Sequence, residues 1–157
     1  MTPPRNAAIR EFTLTTPIRA SRDQVWSALV SVEDWPKWNR LVPVGHGDLR
    51  TGEVLSFQIR RLNGSFYNHR PVVLALEPPC RLALEASFGH RSLVHLVHIF
   101  AIEEGDAETC RLVQTWEASG LLVPMLWRTL QGGMERFTEL GDDLARWVEG
   151  RTPHPER

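Results

Sequence analysis

Cysteine is nearly missing from this chain of 157 residues: Cys80 and Cys110 are the only two, far apart and without the short spacing of metal ligands. That excludes a disulfide framework as the basis of the fold, and both read as buried free thiols. An excess of one charge is missing as well. The net charge is -1, with both signs scattered along the chain, so there is no electrostatic footprint for nucleic acid or an anionic membrane. Nowhere do about 18 consecutive apolar residues occur, and Met1 to Arg10 lacks the apolar run of a signal peptide, so a cytoplasmic protein without membrane insertion is expected. Sequence signatures of catalysis are absent too. There is no Gly-x-Ser-x-Gly, no His-Glu-x-x-His, no Cys-x-x-Cys and no carboxylate-rich loop, and neither a metal nor another cofactor is expected.

With 42% hydrophobic residues, the chain can build a real core in one domain spanning residues 1–157, with residues 1–8 a loose arm and 151–157 a frayed tail. Phe12, Leu14 and Ile18 alternate with polar residues and predict a first strand. Ser21 offers an N-cap for a short helix carrying Val25, Trp26 and Leu29, and Trp35-Pro36-Lys37-Trp38-Asn39 predicts a second helical turn. Strand patterns follow at Leu55 to Arg60 and Phe66 to Glu77, joined by the hairpin signal Asn63-Gly64, with Pro71 marking an edge or bulge in the second. Further strands are expected around Leu82 to Phe88, Leu93 to Glu103 and Cys110 to Ala118.

From Ser119 to Val148 the spacing predicts one long helix. At about 100° per residue, Leu122, Leu126, Leu130, Phe137, Leu140, Leu144, Trp147 and Val148 share one arc, opposite Arg128, Glu135, Glu139, Asp142 and Arg146. Gly133, beside Gly132, falls near the middle of the apolar face, where each glycine costs about 1 kcal/mol relative to alanine. Close approach to the sheet or a kink accounts for such a gap; so does a cavity kept open for a ligand. An antiparallel sheet with one apolar face needs a cover, and this helix is the only large amphipathic element left. The expected fold is α+β: a curved antiparallel sheet of about six or seven strands gripping a long C-terminal helix, with two short helices after the first strand.

These segments resemble the START-like or SRPBCC helix-grip proteins, and within them the polyketide cyclase/dehydrase-like branch. Thr16-Pro17-Ile18-Arg19-Ala20-Ser21 with Val25-Trp26 is similar to that family's opening, and Trp35 to Asn39 to its tryptophan-rich turn. Arg70-Pro71-Val72, Glu77 to Leu82, His98-Ile99-Phe100, Thr109 to Thr115 and Ser119-Gly120-Leu121-Leu122 extend the likeness over nearly the whole chain. One departure stands out: Ala118 sits where an aromatic commonly precedes Ser-Gly, and Trp116 where a smaller or acidic residue is common. That exchange moves bulk along the strand and is expected to reshape any pocket. The resemblance implies a fold that binds, cyclises or chaperones on one scaffold, so function rests on the site.

His95 and His98 are three apart on an expected strand and point to opposite faces, which excludes a local chelating pair. His98 shares parity with Phe100 and Ile102 and is placed beside Gln114 and Trp116, where it reads as an acid-base residue, as a hydrogen-bonded structural group or as a group orienting a ligand carbonyl. Arg70 reads as a carboxylate clamp or a surface arginine. Trp38, Phe57, Ile59, Phe100, Trp116, Leu130, Gly133, Met134 and Phe137 complete the candidate site as core or as the wall of an apolar pocket. The leading expectation is a monomer or homodimer that binds a small apolar or aromatic ligand; a cyclase or dehydratase using His98 and a protein-interaction module are the alternatives.

Overall fold

The computed structural model describes residues 9–106 and 108–150, so the arm and tail expected at the two ends lie outside the described residues. β1 (Arg10–Ile18) runs into α1 (Arg22–Val30), which opens with a capping box: Gln24 N donates to Ser21 Oγ at 3.2 Å and Ser21 N to Gln24 Oε1 at 3.0 Å. A 3-10 turn (Val32–Asp34) leads into α2 (Trp35–Trp38), where Pro36 occupies the first turn, a position that has no use for its missing N–H. Then come β2 (Val44–His46), β3 (Ser56–Arg60), β4 (Phe66–His69), β5 (Val72–Glu77), β6 (Arg81–Phe88), β7 (Val94–Glu104) and β8 (Cys110–Ser119). The C-terminal part is α3 (Val123–Glu135) followed by α4 (Phe137–Val148).

Among the described residues there are eight strands where six or seven were expected. They form an antiparallel sheet in the order β1-β8-β7-β6-β5 and a smaller one in the order β2-β3-β4. The short β2 and a split at Pro71 make the difference. Pro71 lacks a ladder donor and splits the expected Phe66 to Glu77 strand into β4 of one sheet and β5 of the other. The sheets stay joined through a bridge between Val54 and Val72 and through Leu55 N donating to Pro71 O at 2.9 Å.

The long helix is interrupted at Arg136, one turn beyond the Gly132-Gly133 pair, where missing side chains lower the cost of bending. Its two halves serve different clusters. Leu140 and Leu144 of α4 are fully buried in the main core with Ile18, Leu29, Leu82 and Leu112. α3 instead packs Leu122, Leu126, Trp127 and Leu130 against a small separate group, Val94, Ala118 and Val123. Trp147, expected on the apolar face, is 40% exposed at the far end of α4. Of the two cysteines expected to be buried, Cys110 is buried and Cys80 only half-buried.

Two contacts seat α4. The Asp143 carboxylate, inside the interface, receives Arg40 N at 3.0 Å, the Arg40 guanidinium at 2.9 Å and Arg146 Nη2 at 2.8 Å, tying the turn after α2 to the helix. Nearer its start, Gly141 lies so close to β1 that a Cβ there would land on Thr16 Oγ1. At Gly132 and Gly133, by contrast, a Cβ would meet open space. The signs of two substitutions should therefore differ. Gly141→Ala is expected to destabilise by about 1–3 kcal/mol through overpacking, despite alanine's better helix propensity, whereas Gly133→Ala should gain up to about 1 kcal/mol. Thermal melts check this: the Tm falls for the first variant and rises by roughly 2–4 °C for the second.

Candidate functional site

A cavity of about 190 Å³ opens between the middle of the helical segment and residues of both sheets. Strand alternation supplies its walls: Phe57 and Ile59 from β3, His98 and Phe100 from β7, Trp116 from β8. Leu130, Gly133, Met134 and Phe137 form its roof. Gly133 is exposed and borders this cavity with nothing within 4 Å of a Cβ, so it is not a close-approach position; within the helices that role falls to Gly141.

Three of the candidate residues are placed elsewhere. Trp38 lies tilted against Trp35 at 5.8 Å and faces a groove beside α1 and Trp147, and it is Trp35, stacked on Phe57 at 5.0 Å, that reaches the cavity. Arg70 is exposed. A two-residue Asn63-Gly64 turn would have set it opposite Phe57, but the loop holds three residues, Leu62 to Gly64, closed by Arg61 N donating to Ser65 O at 2.7 Å. Gly64 takes a φ of +88°, the register moves by one, and His69 pairs with Phe57 while Tyr67 pairs with Ile59. Tyr67 and His69 thus line the cavity in place of Arg70; the spacing of the hairpin was the signal that could have found them. Gln114 stands behind the wall, with 0% exposure. Glu85 and Thr129, also missed, add polar atoms, and Glu85 Oε2 is bonded to His95 Nε2 at 3.1 Å on the other side of β7.

His98 is the most constrained group of the site. Its ring stacks on Trp116, its cross-strand partner, at 4.1 Å, lies 4.1 Å from Phe100, and receives Phe137 edge-on at 5.1 Å. Gln114 Nε2 donates to the Phe137 carbonyl at 3.0 Å, and a carbonyl can only accept, so the orientation of the amide is fixed. Gln114 Oε1 therefore accepts from His98 Nε2, 3.1 Å away, which places the imidazole proton on Nε2 and leaves Nδ1 as a bare acceptor. Among the described residues Nδ1 has no partner, and the accessible surface that His98 retains borders the cavity. Burial pushes its pKa down to about 3, offset in part by the Gln114 bond and reinforced by nearby His69, whose own pKa burial also lowers. Burial raises the Tyr67 pKa. At neutral pH the phenol and both imidazoles are uncharged. Among the described residues no cluster of three or more His, Cys, Asp or Glu side chains is arranged to hold a metal ion, and no helix is long and apolar enough to cross a membrane.

The family model described as Activator of Hsp90 ATPase homolog 1-like protein matches residues 19–140. The chain belongs to that family. The part matched to the Activator of Hsp90 ATPase homolog 1-like family contains every residue that lines the cavity. No curated protein matches the sequence. Solved structures bear out the START-like resemblance at the level of fold. A norcoclaurine synthase point mutant from Thalictrum flavum, in complex with a transition-state analogue, aligns with a TM-score of 0.73 at 12% identity, over 92% of this chain and 97% of that one. A START superfamily protein from Mycobacterium smegmatis aligns at 0.69 and 18% identity, over 90% and 99%. The di-domain ARO/CYC StfQ from the steffimycin biosynthetic pathway aligns at 0.66 and 15%, over 90% of this chain and 52% of StfQ.

The depressed His98 pKa has a signed consequence. An unfolded chain takes up the proton near pH 6.5, the folded one only near pH 3, so the stabilising effect of a neutral His98 is complete above pH 6.5 and is lost as pH falls from 6.5 toward 3. In that window His98 should contribute a slope of about 1.4 kcal/mol per pH unit to the unfolding free energy. Urea titrations at pH 4 to 7 should show the slope reduced by that amount in His98→Phe. The contribution of His69, displaced in the same direction, should persist in the variant.

Proposed function

We propose that the protein, as one domain working in the cytoplasm, binds a small apolar or aromatic molecule in the cavity beneath α3. The observation that carries this reading is the cavity of about 190 Å³, walled by aromatic side chains and roofed by an amphipathic helix. A cavity of about 150 Å³ accepts benzene, so 190 Å³ suits one or two fused rings. The free thiols support the location. Relatives in structure whose names record aromatic chemistry, norcoclaurine synthase and the ARO/CYC protein, support the ligand class.

A cyclase or dehydratase using His98 as its acid-base group is less well supported. General acid-base catalysis works best with a pKa near the working pH, and His98 stays neutral until about pH 3 with its one N–H held by Gln114. A protein-interaction role draws on the family's description as an activator of the Hsp90 ATPase and on Leu121 and Met125, which are 78% and 74% exposed around the start of α3.

The test is direct. Naphthalene should bind and raise the Tm of the unmodified protein. Gly133→Leu, which adds bulk at a residue bordering the cavity, should weaken that binding at least tenfold while the Tm of the free protein stays level or rises. If naphthalene and other one- and two-ring hydrocarbons leave the unmodified protein unaffected, or if Gly133→Leu binds them as before, the cavity is not a ligand site.

A further inference from the structure

The geometry points to a ligand that must donate a hydrogen bond, a phenol, enol or ring N–H, received by His98 Nδ1. The inference rests on the cavity being the binding site and adds the polar chemistry of its occupant. Two hydrogen bonds in sequence carry it. The Phe137 carbonyl fixes the Gln114 amide, the amide fixes the proton on His98 Nε2, and Nδ1 is left with its lone pair and no partner among the described residues. A histidine that oriented a ligand carbonyl would have to donate, and this one has already spent its N–H on Gln114.

The walls next to His98 give that acceptor its weight. Phe100, Trp116 and Phe137 pack around the His98 ring, so a polar ligand atom placed beside it is largely cut off from water and needs Nδ1 as its partner. A ketone or ether oxygen at that position would face the Nδ1 lone pair with its own and leave both unsatisfied. A carboxylate would do so with a full charge, in a region where burial already holds two imidazoles neutral. A hydroxyl or N–H on an aromatic ring satisfies Nδ1 and keeps its flat hydrocarbon against the tryptophan and phenylalanines. Sites built to hydrogen-bond one substrate group discriminate strongly against the analogue lacking it, because the buried partner is left unpaired.

Three probes of one shape separate the possibilities: naphthalene, 2-naphthol, and 2-methoxynaphthalene, which accepts but cannot donate. By isothermal titration, 2-naphthol should bind at least tenfold more tightly than either of the others. In His98→Phe that preference should vanish while naphthalene affinity changes less than threefold. A second measurement needs no variant: nitrogen NMR of the unmodified protein should show Nε2 protonated and Nδ1 bare in the free state, with the Nδ1 resonance moving on saturation with 2-naphthol and not with naphthalene. Equal affinity for 2-naphthol and 2-methoxynaphthalene, or an unmoved Nδ1 resonance at saturation, overturns the inference and leaves the cavity reading standing. If none of the three binds, the cavity reading itself falls, and this inference with it.

Discussion

The amide of Gln114 is the interaction on which the site depends. It is wholly buried, so both ends of the amide need partners at a cost of about 1–3 kcal/mol for each left unmet. It finds them on two different elements: the Phe137 carbonyl where α4 begins, and His98 on the neighbouring strand. One side chain on β8 thus sets where the second half of the helical segment starts, which edge of the imidazole carries the proton, and where the Phe137 ring stands as it closes the cavity. Phe137 touches both His98, at 5.1 Å, and Trp116, at 5.4 Å, so the roof and the wall are set by the same bond.

From that anchor the two helical halves part company, and the glycines record it. Gly141 lets α4 settle against Thr16 of β1, with no room for even a methyl group. Gly133 does the opposite: it is exposed, a Cβ there would meet nothing within 4 Å, and it borders the cavity under α3. Empty apolar volume of this size costs several kcal/mol in an ordinary core, and filling it would take a single substitution at an otherwise helical position. A chain optimised for stability alone would not keep it. The Asp143 cluster serves the same division: a buried carboxylate gathered by Arg40 and Arg146 holds α4 to the turn after α2, so the helix stays seated whether or not the cavity is occupied.

Much of this was legible before the coordinates. Period-two alternation put His98 on the same parity as Phe100 and beside Trp116, and Phe57 with Ile59 on the buried face of their own strand, while the helical period set Phe137 on the apolar arc, because these periodicities are local properties of a strand or helix. What failed depended on events one residue wide. The Asn63-Gly64 signal located a hairpin, yet the three-residue loop shifted its register and exchanged Arg70 for His69 and Tyr67. Pro71 announced an irregularity, but not that the chain would change sheets there. Trp35 and Trp38 are indistinguishable by type; which one meets Phe57 is set by the direction in which a four-residue helix is laid down, and that is a tertiary choice. The break at Arg136 and the ion cluster around Asp143 carry no periodic signature at all.

What His98 can do follows from the partner it was given. A carboxylate at position 114 would accept the same Nε2 proton at the same distance, but it would also favour the imidazolium and draw the pKa back toward neutrality, the arrangement that general acid-base catalysis uses. An amide holds the proton in place without supplying charge, and its hydrogen bond offsets only part of the burial, so the ring stays neutral at physiological pH. The walls act in the same direction: Trp116, Phe100 and Phe137 exclude the water that a charged imidazole would need. A histidine kept in one tautomer and prevented from charging is poorly suited to moving protons. It is well suited to reading whether the molecule in front of it has one to share.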